Sequence, residues 1–294
     1  MTHRIILNPY ANQGRAQKQI ESIRAAYRAV NIEHEIVLTT QPKDAITLAQ
    51  QAVAQGYTAV VAAGGDGTVN EVVNGLVRGA ETGRPTLPLG VIPVGTGNDF
   101  AHMLKLPKKM KAIIDNIVAG ATRQIDVGYV VIDGATTGHY FGNNCALAME
   151  PMVNMESNRF TRLHGTPRYL AGLVSALFKL KAWQMDVEWE GGRFSGPSVL
   201  LSICNGPRAG STFMMAPDAK ADDGLFDVAL AEDLSMPQIL RVLPGLFNGA
   251  YLRHPQVQQF RTAWLKIRVP EGTPIHADGE MVTNSAETIT YSIL

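Results

Sequence analysis

In the amino-terminal part of the chain, short apolar runs alternate with apolar residues at helical spacing. Arg4-Ile5-Ile6-Leu7 is a buried-strand run that stops at Asn8-Pro9, and Ile20, Ile23, Tyr27 and Val30 then mark a helical stripe. A second run, residues 35–38, ends at Thr39-Thr40. Pro42 sits where a first helical turn accepts it, and Ile46, Ala49 and Val53 continue that helix. Residues 58–63 form a third run, followed at once by Gly64-Gly65-Asp66-Gly67-Thr68-Val69-Asn70-Glu71. Here Val69, Val72, Val73 and Leu76 fall at i, i+3, i+4, i+7, with Asn70, Glu71 and Asn74 off the stripe. Beyond Pro85 and Pro88 comes a fourth run, Leu89-Gly90-Val91-Ile92, which stops at Pro93-Val94-Gly95-Thr96-Gly97-Asn98-Asp99. A short helix follows, then Met110, Ile113, Ile114, Ile117 and Val118 at helical spacing. Four strands each followed by a helix predict an α/β domain with a Rossmann-like, doubly wound parallel sheet.

Near Arg123 the rhythm changes to strand-rich text. Residues 123–132 and 140–149 predict a hairpin about Asp133-Gly134, and 199–203, 225–230, 264–269 and 288–293 are further strands. The expected organisation is a nucleotide domain over 1–124 and a mainly antiparallel β-sandwich over 125–294, with the last strand free to return to the first domain. Two domains also suit 294 residues, because single cores stop growing near that size. Two helices interrupt the second half. Leu170, Leu173, Val174, Leu177 and Phe178 form a stripe beside Arg168, Lys179 and Lys181, which predicts a helix covering a sheet and leaves interfacial membrane contact open. Ser235 and Pro237 open another helix, which Pro244 should kink or end, with Leu243, Leu246 and Phe247 in core or along a greasy channel.

In open α/β sheets ligands bind past the carboxyl ends of the strands. That rule gathers Asn8-Pro9, Thr39, residues 64–68 and residues 95–99 at one edge. Glycines without Cβ let backbone N–H groups approach an anion, and a helix start adds partial positive charge, so the 64–71 stretch reads as a phosphate site. Asp66 would supply a hard oxygen to a magnesium-bound triphosphate. The plainer reading is a tight strand-to-helix turn capped by Asp66. No Lys-Ser/Thr follows the glycines, and Asn70 stands where a third glycine belongs, so neither the P-loop nor the dinucleotide pattern applies. In the second half, Asp218, Asp222 and Asp223 crowd a turn at Asp223-Gly224, either ordinary turn chemistry or a hard-cation site. Asp278-Gly279-Glu280 is another Asp-Gly turn, of interest because phosphate transfer to an alcohol calls for a carboxylate that accepts its proton. His276 is assigned no role.

Charge and composition narrow the partners. Lys plus Arg and Asp plus Glu number 26 each, so no overall field draws nucleic acid or anionic membrane. Cys145 and Cys204 make no framework, which suits a reducing cytosol, and seven scattered histidines form no zinc motif. No leader precedes the first strand and no run approaches the ~18 apolar residues of a spanning helix, so export is not expected and membrane contact would be peripheral.

With these pieces in order, the chain resembles soluble bacterial lipid kinases that share the diacylglycerol kinase catalytic domain. The resemblance rests on Asn8-Pro9, residues 39–45, the block 64–75, the block 92–101, Asn205-Gly206, Asp223-Gly224 and Asp278-Gly279-Glu280. NAD kinases and phosphofructokinases look similar only around Gly-Gly-Asp-Gly. The resemblance implies an ATP- and Mg2+-dependent kinase of a lipid hydroxyl, diacylglycerol or a relative, with its active site between the two domains. Asn8 and Pro9 would begin the nucleotide pocket, Thr39 would contact it, Gly64, Gly65, Asp66, Gly67, Thr68, Val69, Asn70 and Glu71 would cradle phosphates, and Thr96 with Asn98 and Asp99 would complete it. Glu280 would be the proton acceptor, with Asp278 an alternative or co-actor. A structural magnesium would be held by Asp223 and the carbonyls of Lys220 and Leu225. Tyr10-Ala11-Asn12-Gln13-Gly14 and Gly210-Ser211-Thr212 depart from the family pattern. The implied setting is cytoplasmic, peripheral at the inner membrane face, and compatible with a homodimer. Two other readings stay open: a kinase of a soluble acceptor such as NAD, and a nucleotide- or lipid-binding regulator without turnover.

Overall fold

The computed structural model describes residues 1–80, 86–163 and 165–294, so Pro85, read above as punctuation, lies outside the described residues. The chain forms two compact units, Met1–Gln124 and Ile125–Leu294. In the first, β1 (Thr2–Leu7), β2 (Glu33–Leu38), β3 (Ala59–Gly64) and β4 (Leu89–Pro93) make one parallel sheet in the order β2-β1-β3-β4. Its registers include Ile5 beside Ile36 and Val61, and Ala63 beside Ile92. The inner strands are apolar throughout because helices cover both faces. On one face α1 (Ile20–Ala29) brings Ile23 and Tyr27 onto Ile5, Leu7, Val61 and Ile92. The other is covered by α2 (Asp44–Ala54) and α3 (Asp66–Gly79), where Val69, Val72, Val73 and Leu76 are all buried as the spacing predicts. A fully buried Val or Leu contributes ~1.5–3 kcal/mol, so this stripe by itself commits α3 to the sheet. The apolar face is wider than the stripe, however. Asn70 and Asn74 are buried as well, Asn74 Nδ2 donating to the Asn70 carbonyl at 3.0 Å. Gly75 makes the close packing of α2 on α3 possible, because a Cβ there would lie 2.4 Å from the Ile46 carbonyl oxygen. Pro42 lies in the turn before α2, not in its first turn. The unit is completed by α4 (Asp99–Met103) and by α5 (Met110–Ala119), whose Ile113 and Ile114 join the α1 face.

The second unit is antiparallel. Its strands are β5 (Gly128–Ile132), β6 (His139–Phe141), β7 (Asn144–Ala148), β8 (Trp183–Trp189), β9 (Gly192–Cys204), β10 (Phe226–Glu232), β11 (Val257–Thr262), β12 (Trp264–Arg268), β13 (Ile275–Ala277), β14 (Glu280–Thr283) and β15 (Thr288–Ile293). The path β14-β13-β7-β9-β8-β12-β15-β5-β6 nearly closes on itself, since β13 also contacts β6, while β10 and β11 branch from β9. This is a sandwich approaching a barrel. Its interior is filled by Phe141, Leu147, Met185, Leu201, Phe226, Leu265, Ile289 and Tyr291. Phe141 and Phe226 stack at 5.6 Å between centroids. The last strand does not return to the first unit, because β15 is held on both sides by β12 and β5.

The hairpin predicted about Asp133-Gly134 forms as β5 and β6, but residues 123–127 precede the strand and the second run breaks at Gly142-Asn143. Three α-helices, not two, cover the outer face of β9 and β10: α6 (Met149–Ser157), α7 (Thr166–Leu177) and α8 (Met236–Val242). The Ser235 side chain and Gln238 form a capping box at the start of α8, and the α-helix ends before Pro244 as expected. Leu246 is core, whereas Phe247 is 48 % exposed.

Candidate functional site

At the carboxyl edge of the parallel sheet the loops after the strands are tied to one another. The Asn8 amide bonds the Ala63 carbonyl at 3.0 Å and the Thr39 amide bonds the Leu7 carbonyl at 3.0 Å, so each strand end fixes its neighbour's loop. Asn8 Nδ2 donates to Thr68 Oγ1 at 3.3 Å, and the amides of Val94 and Gly95 both reach the Gly64 carbonyl. The loops after β3 and β4 touch backbone to backbone. A Cβ on Gly95 would lie 2.3 Å from Gly65 Cα, and a Cβ on Gly64 would lie 2.3 Å from Thr68 Oγ1. Glycine at Gly64 and Gly95 is therefore a steric requirement of the loop packing. Asn98, in the left-handed conformation at φ 57°, closes its own loop by exchanging hydrogen bonds with Gly95.

Above these contacts α3 begins at Asp66, and its first helical bond within this turn is Val69 N–H to the Gly65 carbonyl at 3.1 Å. The amides of Asp66, Gly67 and Thr68 thus precede the hydrogen-bonded body of the helix, the arrangement that favours an anion at a helix start. Asp66 caps a helix, but not its own: Oδ1 accepts the Phe100 amide at 3.0 Å, at the start of α4. Glu71 acts at a distance in the same way, taking the amides of Lys43 at 2.9 Å and Ala45 at 3.2 Å at the start of α2. Val69 and Asn70 are turned into the core, Thr39 and Asp99 are buried, and Thr96 is exposed at the loop surface. Asn8, Gly64, Gly65, Asp66, Gly67, Thr68, Gly95, Asn98 and Asp99 are brought together, whereas the Val69, Asn70 and Glu71 side chains are committed elsewhere. Beside them, hydrogen bonds from the Thr40 hydroxyl and amide and the Gln41 amide pull the Asp44 carboxyl down to about 2.

In the second unit, three turns far apart in sequence form one hydrogen-bonded set. Asp278, at φ 49° between β13 and β14, accepts the amides of Gly142 at 2.8 Å, Asn143 at 2.9 Å and Asn144 at 3.0 Å. Its own amide returns to the Asn144 carbonyl at 2.8 Å. Asn205 Nδ2 bridges the carbonyls of Gly142 and Asp126, both at 2.8 Å, and Asp126 Oδ2 takes the Gly224 amide at 2.8 Å. Asp278 is thus a clamp on the β6–β7 connection, and Glu280, beyond it, is exposed. The turn is braced from behind by α6. Asn154 Nδ2 donates to the Gly279 carbonyl, and Glu150 Oε2 takes Asn144 Nδ2 at 2.9 Å and lies 3.4 Å from His276 Nε2. His276 is 1 % exposed and both of its ring nitrogens are buried without a hydrogen-bond partner among the described residues.

The three expected magnesium ligands cluster at a neighbouring turn. Asp223 offers one carboxylate, and Lys220 and Leu225 offer carbonyls, a hard-oxygen set that suits Mg2+. The surroundings are acidic: burial raises the Asp227 carboxyl first, with Asp223 and Asp218 adding to it and Arg261 opposing, and Asp227 Oδ2 is buried without a hydrogen bond. The donor chemistry therefore fits a cation. Arg261 already lies against Asp223, with its Nε 3.6 Å from Asp227, and among the described residues no group of three His, Cys, Asp or Glu could by itself hold a metal. Both cysteines are free, and burial pushes their thiols well above the ordinary range, which makes them core residues.

Asp126, Gly142, Asn143, Glu150 and Asn154 were not singled out from the sequence. Only Gly142-Asn143-Asn144, polar residues inside an apolar run, offered a local signal.

Two family models match the chain: the diacylglycerol kinase catalytic domain over residues 2–130, and the YegS C-terminal NAD kinase beta sandwich-like domain over residues 144–292. The chain is 31 % identical to the diacylglycerol kinase of Bacillus subtilis, covering 94 % of this chain and 89 % of that protein. It is 30 % identical to the Mycobacterium tuberculosis diacylglycerol kinase, covering 94 % and 87 %. Among solved structures it is similar in fold to a diacylglycerol kinase from Bacillus anthracis, with a TM-score of 0.69 at 18 % identity, covering 100 % and 93 %. The fold is also similar to yeast NADH kinase complexed with NADH, with a TM-score of 0.52 at 11 % identity, covering 100 % and 78 %.

Proposed function

Because the chain belongs to the diacylglycerol kinase family, we propose that it transfers the γ-phosphate of ATP to the free hydroxyl of diacylglycerol or a closely related lipid. It is a phosphotransferase with an alcohol as acceptor. The observation that carries the reading is the contact of loop 64–68 with loop 95–99 at the start of α3, a cradle only glycine backbones allow. In it the amides of Asp66, Gly67 and Thr68 bind the phosphates, with Asn8, Pro9, Thr39, Thr96 and Asn98 around the rest of the nucleotide. Preorganised amides of this kind lose little on reorganisation as charge develops on the transferred group.

On the acceptor side, Glu280 is the base. The Asp278 oxygens are already committed to backbone donors, which leaves Asp278 to hold the turn and Glu280 to meet the hydroxyl. The acceptor oxygen bonds to the γ-phosphorus, the bond to the bridging oxygen of ADP breaks, and the hydroxyl proton passes to Glu280. Asp66 and Asp99 would hold magnesium with the triphosphate, and Asp223 with the Lys220 and Leu225 carbonyls a second, structural ion. When bound, magnesium supplies charge neutralisation of the phosphates.

The acceptor is presented at a membrane surface, and the protein works from the cytoplasm as a peripheral partner of the inner face. Two free buried cysteines support that setting, and among the described residues no helix is long and apolar enough to cross a membrane. The test is phosphate transfer from ATP to a panel of lipid alcohols in mixed micelles, with NAD as a soluble competitor acceptor. Phosphorylation of NAD and of no lipid would sink the proposal, and full activity in a folded Glu280→Ala variant would remove the role given to Glu280.

A further inference from the structure

Helix α7 has two apolar faces where a surface helix needs one. Inward, Leu173, Ala176 and Leu177 are buried in the cluster with Met149, Val153, Val199 and Leu200. Gly172 lets it rest directly on α6, since a Cβ there would lie 2.6 Å from Ser157 Cβ. Outward, Leu170 is 36 %, Val174 55 % and Phe178 87 % exposed. These three are spaced by four residues and line one ridge of the helix. Contiguous bare apolar surface of this kind marks an interaction site. Its charge setting is one-sided. Between Met155 and Lys181 the chain carries Glu156 against Arg159, Arg162, Arg168, Lys179 and Lys181, a net +4 in a chain whose total is zero. Glu156 is already answered by Lys179 at 2.8 Å and Arg159 at 3.2 Å. Arg168 spends its hydrogen bonds on neutral partners, the Ser157 carbonyl and Asn158, and so keeps its charge.

Resting on the lipid-kinase reading above, we propose that the outward ridge of α7 docks on an anionic phospholipid bilayer. Leu170, Val174 and Phe178 enter the boundary between headgroups and acyl chains, and the flanking Arg and Lys side chains pair with lipid phosphates. The charge selects this occupant. A second copy would bring the same +4 segment against itself, and a convex ridge gives a protein partner no groove to fill. The placement is also useful to the chemistry, because α6, on which α7 rests, donates from Asn154 to the Gly279 carbonyl in the turn that carries Glu280. The helix pair that meets the bilayer is the one that braces the proposed base.

The experiment is co-sedimentation of the whole chain with vesicles of phosphatidylcholine alone or mixed with phosphatidylglycerol. Binding to the mixed vesicles, weakened by salt, is expected, with a roughly ten-fold or greater loss in the doubly substituted Val174→Ser, Phe178→Asp chain. Both positions are exposed, so the variant should melt like the parent; Leu240→Ser, an equally bare position on α8, should bind as the parent does. Equal binding by parent and double variant, or equal binding to neutral and anionic vesicles, would overturn the proposal. So would a change from dimer to monomer in the double variant without a change in vesicle binding, which would assign the ridge to a second copy. Phosphorylation of monomeric dioctanoylglycerol by the same proteins keeps the two readings apart. A double variant that loses vesicles but retains this reaction fits the proposal, whereas a parent that binds vesicles and phosphorylates no acceptor defeats the kinase reading alone.

Discussion

Replacing Asp278 by asparagine separates a carboxylate that holds the fold from one that moves a proton. In the native turn its two oxygens accept three backbone amides, at 2.8, 2.9 and 3.0 Å. Asparagine keeps one acceptor oxygen and turns an NH2 group toward at least one of those N–H groups, so one or two charge-assisted bonds are lost and a donor faces a donor. Hydrogen bonds to a charged group are worth about 1.5–3 kcal/mol each, and the turn is partly exposed, so the low end applies and ~2–4 kcal/mol is expected. For a unit of this size that is a fall of roughly 5–15 °C in the melting temperature. Glu280→Gln alters an exposed side chain, so its stability should stay within ~0.5 kcal/mol of the parent while kcat falls at least ~100-fold. Thermal or urea unfolding followed by tryptophan fluorescence reads the first quantity, since all three tryptophans lie in the second unit, and ATP-dependent phosphorylation of a micellar diacylglycerol reads the second. An Asp278→Asn chain that melts like the parent but has lost turnover would refute the division of labour and make Asp278 the base.

Gly95→Ala places a methyl 2.3 Å from Gly65 Cα, so the two loops must part; overpacking of this kind costs ~1–3 kcal/mol, and calorimetric titration with ATP should show weaker binding along with the loss of stability. The Asp44 carboxyl, held near 2 against an ordinary 3.8, adds stability that is present above the ordinary value and is lost as pH falls toward 2. Acid unfolding of the Asp44→Asn chain should therefore be flatter than the parent's across that window. The two faces of α7 predict opposite outcomes for neighbouring residues: Leu173→Ala should destabilise by ~2–4 kcal/mol in urea unfolding, and Val174→Ala by less than ~0.5 kcal/mol.

What could be read without coordinates follows from how local each cause is. The four parallel strands and the stripe of α3 were legible because burial on both faces leaves an unbroken apolar run, and a helix needs only its own spacing to declare an inward face. The glycine loops were legible as phosphate chemistry because composition, not distant contacts, gives a chain a close-approaching backbone. Strand β8 was missed although its burial alternates residue by residue, since Gln184, Asp186 and Glu188 on the open face dilute the apolar signal. Tertiary structure decided the rest. In the sequence Asp278-Gly279 is an ordinary turn, and its meaning lies in amides 134 to 136 residues away that no spacing rule connects to it. Asp66 belongs by position to α3, yet caps α4, because the touching of two loops sets its partner. Apolar residues surround α7 on both sides, so periodicity could not say which face would be covered. Only the packing of Gly172 against Ser157 turned Leu173 inward and left Phe178 in water.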